Sequence, residues 1–244
     1  MRRSLFATSF VAVVVSSLAV LAHFSEAKPL SGALGELVEG NRRFVGGHFE
    51  HARIDKVRRD ELAKGQHPFA VVVGCSDSRV PPELVFDQGL GDLFVVRVAG
   101  NVIDDASLGS IEYAVEHLGA SLVIVLGHER CGAVKAALDG AGLPGHIGAI
   151  GAALSPAIAE AKSQPSTDPL DAAVRANVRR IVKQLSNAEP ILTHALHADQ
   201  IAVIGARYDL DTGEVEFFPE AAEAHAEHDA PAPTGAKQAA HAKH

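Results

Sequence analysis

The chain has 244 residues, a formal net charge of −8, 47% hydrophobic residues, two cysteines and no tryptophan. That length suits one α/β domain or two small ones with a sizeable core, and the composition excludes a disordered chain. The acidic balance argues against a phosphate backbone as the partner, so no nucleic-acid binding is expected. Two cysteines exclude a disulfide framework and leave one bridge, two bystanders or two ligands of one metal.

At the N-terminus, Arg2 and Arg3 precede an uncharged stretch from Ser4 to Ala22. His23-Phe24-Ser25-Glu26-Ala27 follows, with small residues at the −3 and −1 positions of a cut after Ala27. This pattern predicts a secretory signal peptide over residues 1–27, hence export to the periplasm and no stable membrane association after cleavage. The competing reading is an uncleaved anchor, since the run nearly reaches spanning length. Arg2-Arg3-Ser4-Leu5-Phe6 also hints at twin-arginine export.

From Ser31 to Val45, apolar residues recur at helical spacing, and Gly46-Gly47 ends the run. Asp55 to Lys64 reads as a second short helix. Phe69 to Gly74 and Leu93 to Val98 are continuous apolar runs, expected of strands buried on both faces of a parallel sheet. Asp105 is positioned to cap a helix over Ala106 to Leu118, closed by Gly119. Leu122 to Leu126 is a third apolar strand, followed by a helix from Cys131 to about Leu138. Residues 144–197 read as helical, with Pro156, Pro165, Pro169 and Pro190 marking breaks. Gln200 to Ala206 and Glu214 to Phe218 read as two strands around a turn, adding an antiparallel edge. The order predicts an α/β fold: a mostly parallel central sheet flanked by helices, in one folded unit over residues 28–219. Residues 220–244 are an Ala/His/Pro-rich tail with no apolar period, expected to be disordered and solvated, and its four histidines have no fixed geometry.

The chemistry-bearing residues gather at the carboxyl ends of strands, where open α/β sheets place their sites. The first apolar strand runs into Cys75-Ser76-Asp77-Ser78-Arg79, and the third into Gly127-His128-Glu129-Arg130-Cys131-Gly132. Two thiolates and an imidazole with an open fourth position suit a catalytic zinc. A Cys75–Cys131 disulfide in an exported binding module is the rival, and export favours it. Asp77 and Arg79, two and four residues after Cys75, weigh toward the metal: a carboxylate beside a guanidinium keeps its charge and orientation.

Those two segments, with Arg97-Val98-Ala99-Gly100-Asn101 and Ile111-Glu112-Tyr113-Ala114-Val115, resemble the β-class carbonic anhydrases over about residues 31–218. The resemblance implies reversible hydration of carbon dioxide to bicarbonate by hydroxide on one zinc ion per subunit, held by Cys75, His128 and Cys131. It assigns Asp77 and Arg79 to the catalytic dyad, Gln66 to bicarbonate, Phe94, Tyr113 and Ala99 to the pocket, and Gly132 to a backbone amide beside the metal. Val72 stands where a cooperative subgroup carries tryptophan, which implies the non-cooperative, open-site subgroup. The resemblance also implies a homodimer or a tetramer, with N-terminal helices extending onto a partner subunit and Gln66, Phe94 and Tyr113 lining the neighbour's site. His117 is a candidate proton shuttle, with a surface helix histidine as the alternative. A related zinc hydrolase of carbonyl sulfide or carbon disulfide is the other enzymatic reading.

Overall fold

The computed structural model describes residues 30–50, 53–140 and 142–218. The expected signal peptide, residues 1–27, and the expected tail, residues 220–244, lie outside the described residues.

The chain begins with α1 (Leu30–Gly46) and α2 (Lys56–Leu62), then β1 (Ala70–Gly74), the short α3 (Pro82–Val85) and β2 (Leu93–Arg97). It continues through α4 (Asp105–Leu118), β3 (Leu122–His128), α5 (Gly132–Asp139), α6 (Ile147–Lys162), α7 (Pro169–Ser186) and α8 (Ile191–His197), and ends with β4 (Ala202–Tyr208) and β5 (Val215–Phe217). The strands form one sheet in the order β2-β1-β3-β4-β5. The first four are mutually parallel, and β5 is antiparallel to β4, so the sheet is mostly parallel with an antiparallel edge. Among the described residues, no helix is long and apolar enough to cross a membrane.

Alternation along each strand divides the interior. Val71 and Val73 of β1, Val123 and Val125 of β3, and Val203 of β4 face one core, closed by α4, α7 and α8. Ala70, Val72, Leu122, Ile124, Leu126, Ala202 and Ile204 face the other, closed by Leu37 of α1 and the Val85-Phe86 corner. Side chains of period two, apolar on both faces, thus give the central strands two cores at once. Each fully buried Val, Leu or Ile contributes about 1.5–3 kcal/mol of transfer free energy. A third cluster, around Cys75, Val102, Cys131, Leu154 and Val174, sits against the strand ends.

Three local expectations are corrected. Asp104, not Asp105, caps α4: its side chain accepts from the Ser107 N–H at 2.9 Å, so the helix begins one residue earlier. Pro156 does not break its helix but lies inside α6. A proline there removes one N–H and crowds the preceding turn; in that turn the Ala153 carbonyl accepts from Arg180 Nη2 at 3.0 Å. Finally, β2 is an edge strand, and all five of its residues are only half-buried, unlike β1 and β3.

Two contacts fix the frame around the strand ends. Buried Asn41 of α1 donates to the carbonyls of Val85 and Gly213 at 3.1 and 2.9 Å, and its Oδ1 accepts from Val215 N–H at 2.9 Å. At Gly127 a Cβ would lie 2.6 Å from Val178 Cγ2 and 3.1 Å from Val174 Cγ1. Glycine there lets α7 lie directly on β3, one residue before His128.

Candidate metal centre

The structure brings Cys75, His128 and Cys131 together. Cys75 follows the last residue of β1, His128 ends β3, and Cys131 is the residue before the first turn of α5. Strand β3 runs two residues further than its apolar run predicts, which carries His128 into the ladder opposite Tyr208. All three side chains are buried, and their ligand atoms lie within 4.8 Å of one another.

The two sulfurs are 4.0 Å apart and both cysteines are free. A disulfide needs about 2.05 Å, so the bridge of the binding-module reading is not formed. Two thiolates bound tetrahedrally at about 2.3 Å would stand about 3.8 Å apart, close to the distance here.

His128 supplies the third observation. Its Nδ1 lies 2.8 Å from the Glu129 carbonyl oxygen. A carbonyl only accepts, so Nδ1 carries the proton and Nε2 bears the lone pair. That Nε2 is buried without a hydrogen-bond partner. An orphaned, desolvated acceptor is costly unless something takes its lone pair, and a cation held with the two thiolates would do so. Three soft or borderline ligands with one position free are the donor set of a catalytic zinc. The residues fit the metal.

The electrostatics point the same way. The Cys75 thiol is pushed down, first by the hydrogen bond with Cys131, with burial opposing and the Gly100 N–H assisting. Cys131 is pushed strongly up, first by Cys75 and then by burial. Two thiols buried this close do not both ionise readily on their own, and binding a divalent cation would release their protons.

Asp77 and Arg79 form a bidentate pair: Nε donates to Oδ1 at 2.9 Å and Nη2 to Oδ2 at 2.7 Å. The guanidinium holds the Asp77 carboxyl well below the usual carboxylate range, against a desolvation that raises it. Asp77 Oδ2 is 3.7 Å from His128 Nε2, so the carboxylate borders the cluster.

The other site residues of the resemblance are dispersed in the single chain. Gln66 is exposed ahead of β1, and Gly132 is exposed at the start of α5. Phe94 is half-buried on the β2 edge, paired in register with Val71, and Ala99 is half-buried beside Gly100. Tyr113 is 49% exposed on α4, its ring centroid 5.2 Å from that of His117. His117 is itself exposed.

Residues without an assigned role also shape the centre. Arg97 donates to the carbonyls of Cys75 and Asp77 at 2.8 and 2.6 Å, holding the loop that carries a thiol and the carboxylate. The Gly100 N–H donates to Cys75 Sγ at 3.2 Å. Arg97 and Gly100 stand in a motif of the resemblance, yet only the folded chain shows their targets. A second acidic group, Glu129, Asp209 and Asp211, is occupied by Arg207, Arg130 and the backbone N–H groups of the β4–β5 turn.

Comparison with known proteins agrees with this geometry. The family model described as carbonic anhydrase matches residues 70–215. Carbonic anhydrase 2 of Mycobacterium tuberculosis is 42% identical over 181 residues, which cover 72% of this chain and 87% of that protein. The solved structure of the β-carbonic anhydrase CcaA is 29% identical with a TM-score of 0.62, covering 76% of this chain and 87% of that one. A tetrameric β-carbonic anhydrase of Sordaria macrospora is 26% identical with a TM-score of 0.61, over 74% of this chain and 90% of its own. The parallel sheet with its antiparallel edge and its Cys-His-Cys cluster thus belongs to the β-class carbonic anhydrase family. As a member of it, the chain is a lyase of the carbonate dehydratase type.

Proposed function

We propose that this protein hydrates carbon dioxide reversibly to bicarbonate and a proton at a zinc ion held by Cys75, His128 and Cys131. The observation that carries the metal is the buried, partnerless His128 Nε2 facing two free thiols 4.0 Å apart. Zinc bound there would supply hydroxide near neutral pH by lowering the pKa of water toward about 7.

The chain's own groups do the rest. Asp77, kept ionised by Arg79, would accept a hydrogen bond from a hydroxide held at the cluster and turn its lone pair toward the carbon of carbon dioxide. Addition of that hydroxide to carbon dioxide would form one C–O bond as a C=O π pair moves onto oxygen, giving bicarbonate, and the proton released in making the hydroxide would pass to solvent or buffer. Because Arg79 engages both Asp77 oxygens, the carboxylate is not free to become a fourth ligand, which supports the open-site form. Phe94, Tyr113, Ala99, Gln66 and the Gly132 amide are proposed as the carbon dioxide and bicarbonate pocket.

That pocket requires an oligomer. The half-buried β2 edge, the apolar face of α1 at Val38 and Val45, and half-exposed Tyr113 support a partner subunit that completes it. Export to the periplasm, with cleavage after Ala27, rests on the sequence of residues 1–27, and N-terminal sequencing of the secreted protein tests it. The reading as a whole is tested by stopped-flow carbon dioxide hydration measured against zinc content. Zinc near one equivalent per chain and activity that follows its removal and return are expected; activity in zinc-free protein would contradict it.

A further inference from the structure

Asn177 is fully buried on α7, among the buried apolar residues Ala173, Val174, Ala176, Val178 and Ile181 of the same helix. An amide in such surroundings is costly unless its hydrogen bonds are made. Its Nδ2 reaches 77 residues back along the chain and donates to the Gly100 carbonyl at 2.9 Å.

Gly100 is itself unusual. Its φ of +71° lies in the left-handed region, and a Cβ there would come within 3.2 Å of Leu154 Cδ1 and 3.4 Å of Ala133 Cβ. This backbone turn aims the Gly100 N–H at Cys75 Sγ, 3.2 Å away. One residue is therefore gripped at both ends, its carbonyl by Asn177 and its N–H by the sulfur. An N–H···S bond draws electron density from a thiolate and lowers what it gives a metal, and such outer contacts tune metal centres.

We propose that Asn177 is a positioning residue of the metal centre: by anchoring the Gly100 carbonyl it keeps the Gly100 N–H on Cys75 Sγ and limits the charge that thiolate donates. The inference rests on the reading that Cys75, His128 and Cys131 hold a metal.

The test uses the full chain loaded with cobalt(II), whose sulfur-to-metal charge-transfer band reports thiolate donation, with amide proton spectra of the zinc form. Asn177→Ala removes the donor, and Asn177→Leu, close in volume and with no donor, serves should the alanine variant not fold. Leu185→Ala, about two turns further along α7 and fully buried, is the control for lost packing alone. Both Asn177 variants are expected to move the band to longer wavelength and the Gly100 amide proton upfield, with neither signal moved in Leu185→Ala. An unmoved band and amide in a folded Asn177 variant would overturn the proposal. No charge-transfer band in the unaltered chain would instead overturn the metal reading, and this inference with it.

Discussion

Asp77 accepts two hydrogen bonds from the Arg79 guanidinium, while its Oδ2 stands 3.7 Å from His128 Nε2. The carboxylate therefore borders the Cys-His-Cys cluster with Arg79 on one side of both oxygens and acceptor capacity left over. A tight loop after β1 carries Cys75 of the Cys-His-Cys group, the Asp77 carboxylate and the Arg79 that keeps that carboxylate charged.

Asp77→Asn should retain zinc and lose activity. Removing a preorganised charged hydrogen-bond partner of the reacting group costs about 10²–10³-fold in rate, so kcat/KM is expected to fall at least about 100-fold with zinc content unchanged. Loss of zinc in this variant would show that Asp77 is a ligand.

The same pair has a signature in acid. Arg79 depresses the folded-state carboxyl of Asp77 below its unfolded value, so its stabilisation is fully present above about pH 4 and fades as pH falls toward the folded value. Urea unfolding of metal-free protein should show Asp77→Asn less stable than the unaltered chain at pH 7, with the gap narrowing below about pH 4. A gap independent of pH would contradict the assignment.

Gly127→Ala should destabilise the fold. A Cβ 2.6 Å from Val178 Cγ2 forces α7 away from β3, and overpacking of this kind costs about 1–3 kcal/mol. Thermal unfolding is expected to drop by several degrees, with zinc affinity weakened because His128 is the next residue. An unchanged Tm would mean that α7 yields freely.

Asn41→Ala leaves the carbonyls of Val85 and Gly213 and the N–H of Val215 without their side-chain partner. About 1–3 kcal/mol of stability should go with each group left unsatisfied and buried. Denaturant unfolding measures it, and a loss below about 0.5 kcal/mol would show that water takes the place of the amide.

Much of this was legible from sequence because signals of different range agreed. The apolar runs of β1 and β3 lead straight into the cysteine and histidine motifs, so topology and site follow from one pattern. Local capping was less legible: Asp104 and Asp105 are equally good caps on paper, and only backbone geometry selects Asp104. Pro156 reads as a break because proline usually is one; Arg180, from a different helix, takes up a nearby carbonyl. The half-buried β2 looks like a core strand because its composition does not reveal that it lies at the sheet edge. Asn177 and Gly100 were beyond reach for the same reason, since 77 residues separate them and only packing joins them.

The central claim is that Cys75, His128 and Cys131 hold the zinc on which carbon dioxide hydration depends. Stopped-flow hydration assays on unaltered protein and on Cys75→Ser, each with zinc content measured, test it most directly. About one zinc per chain and rapid hydration are expected in the first, and loss of both in the second. Full activity in Cys75→Ser would contradict it.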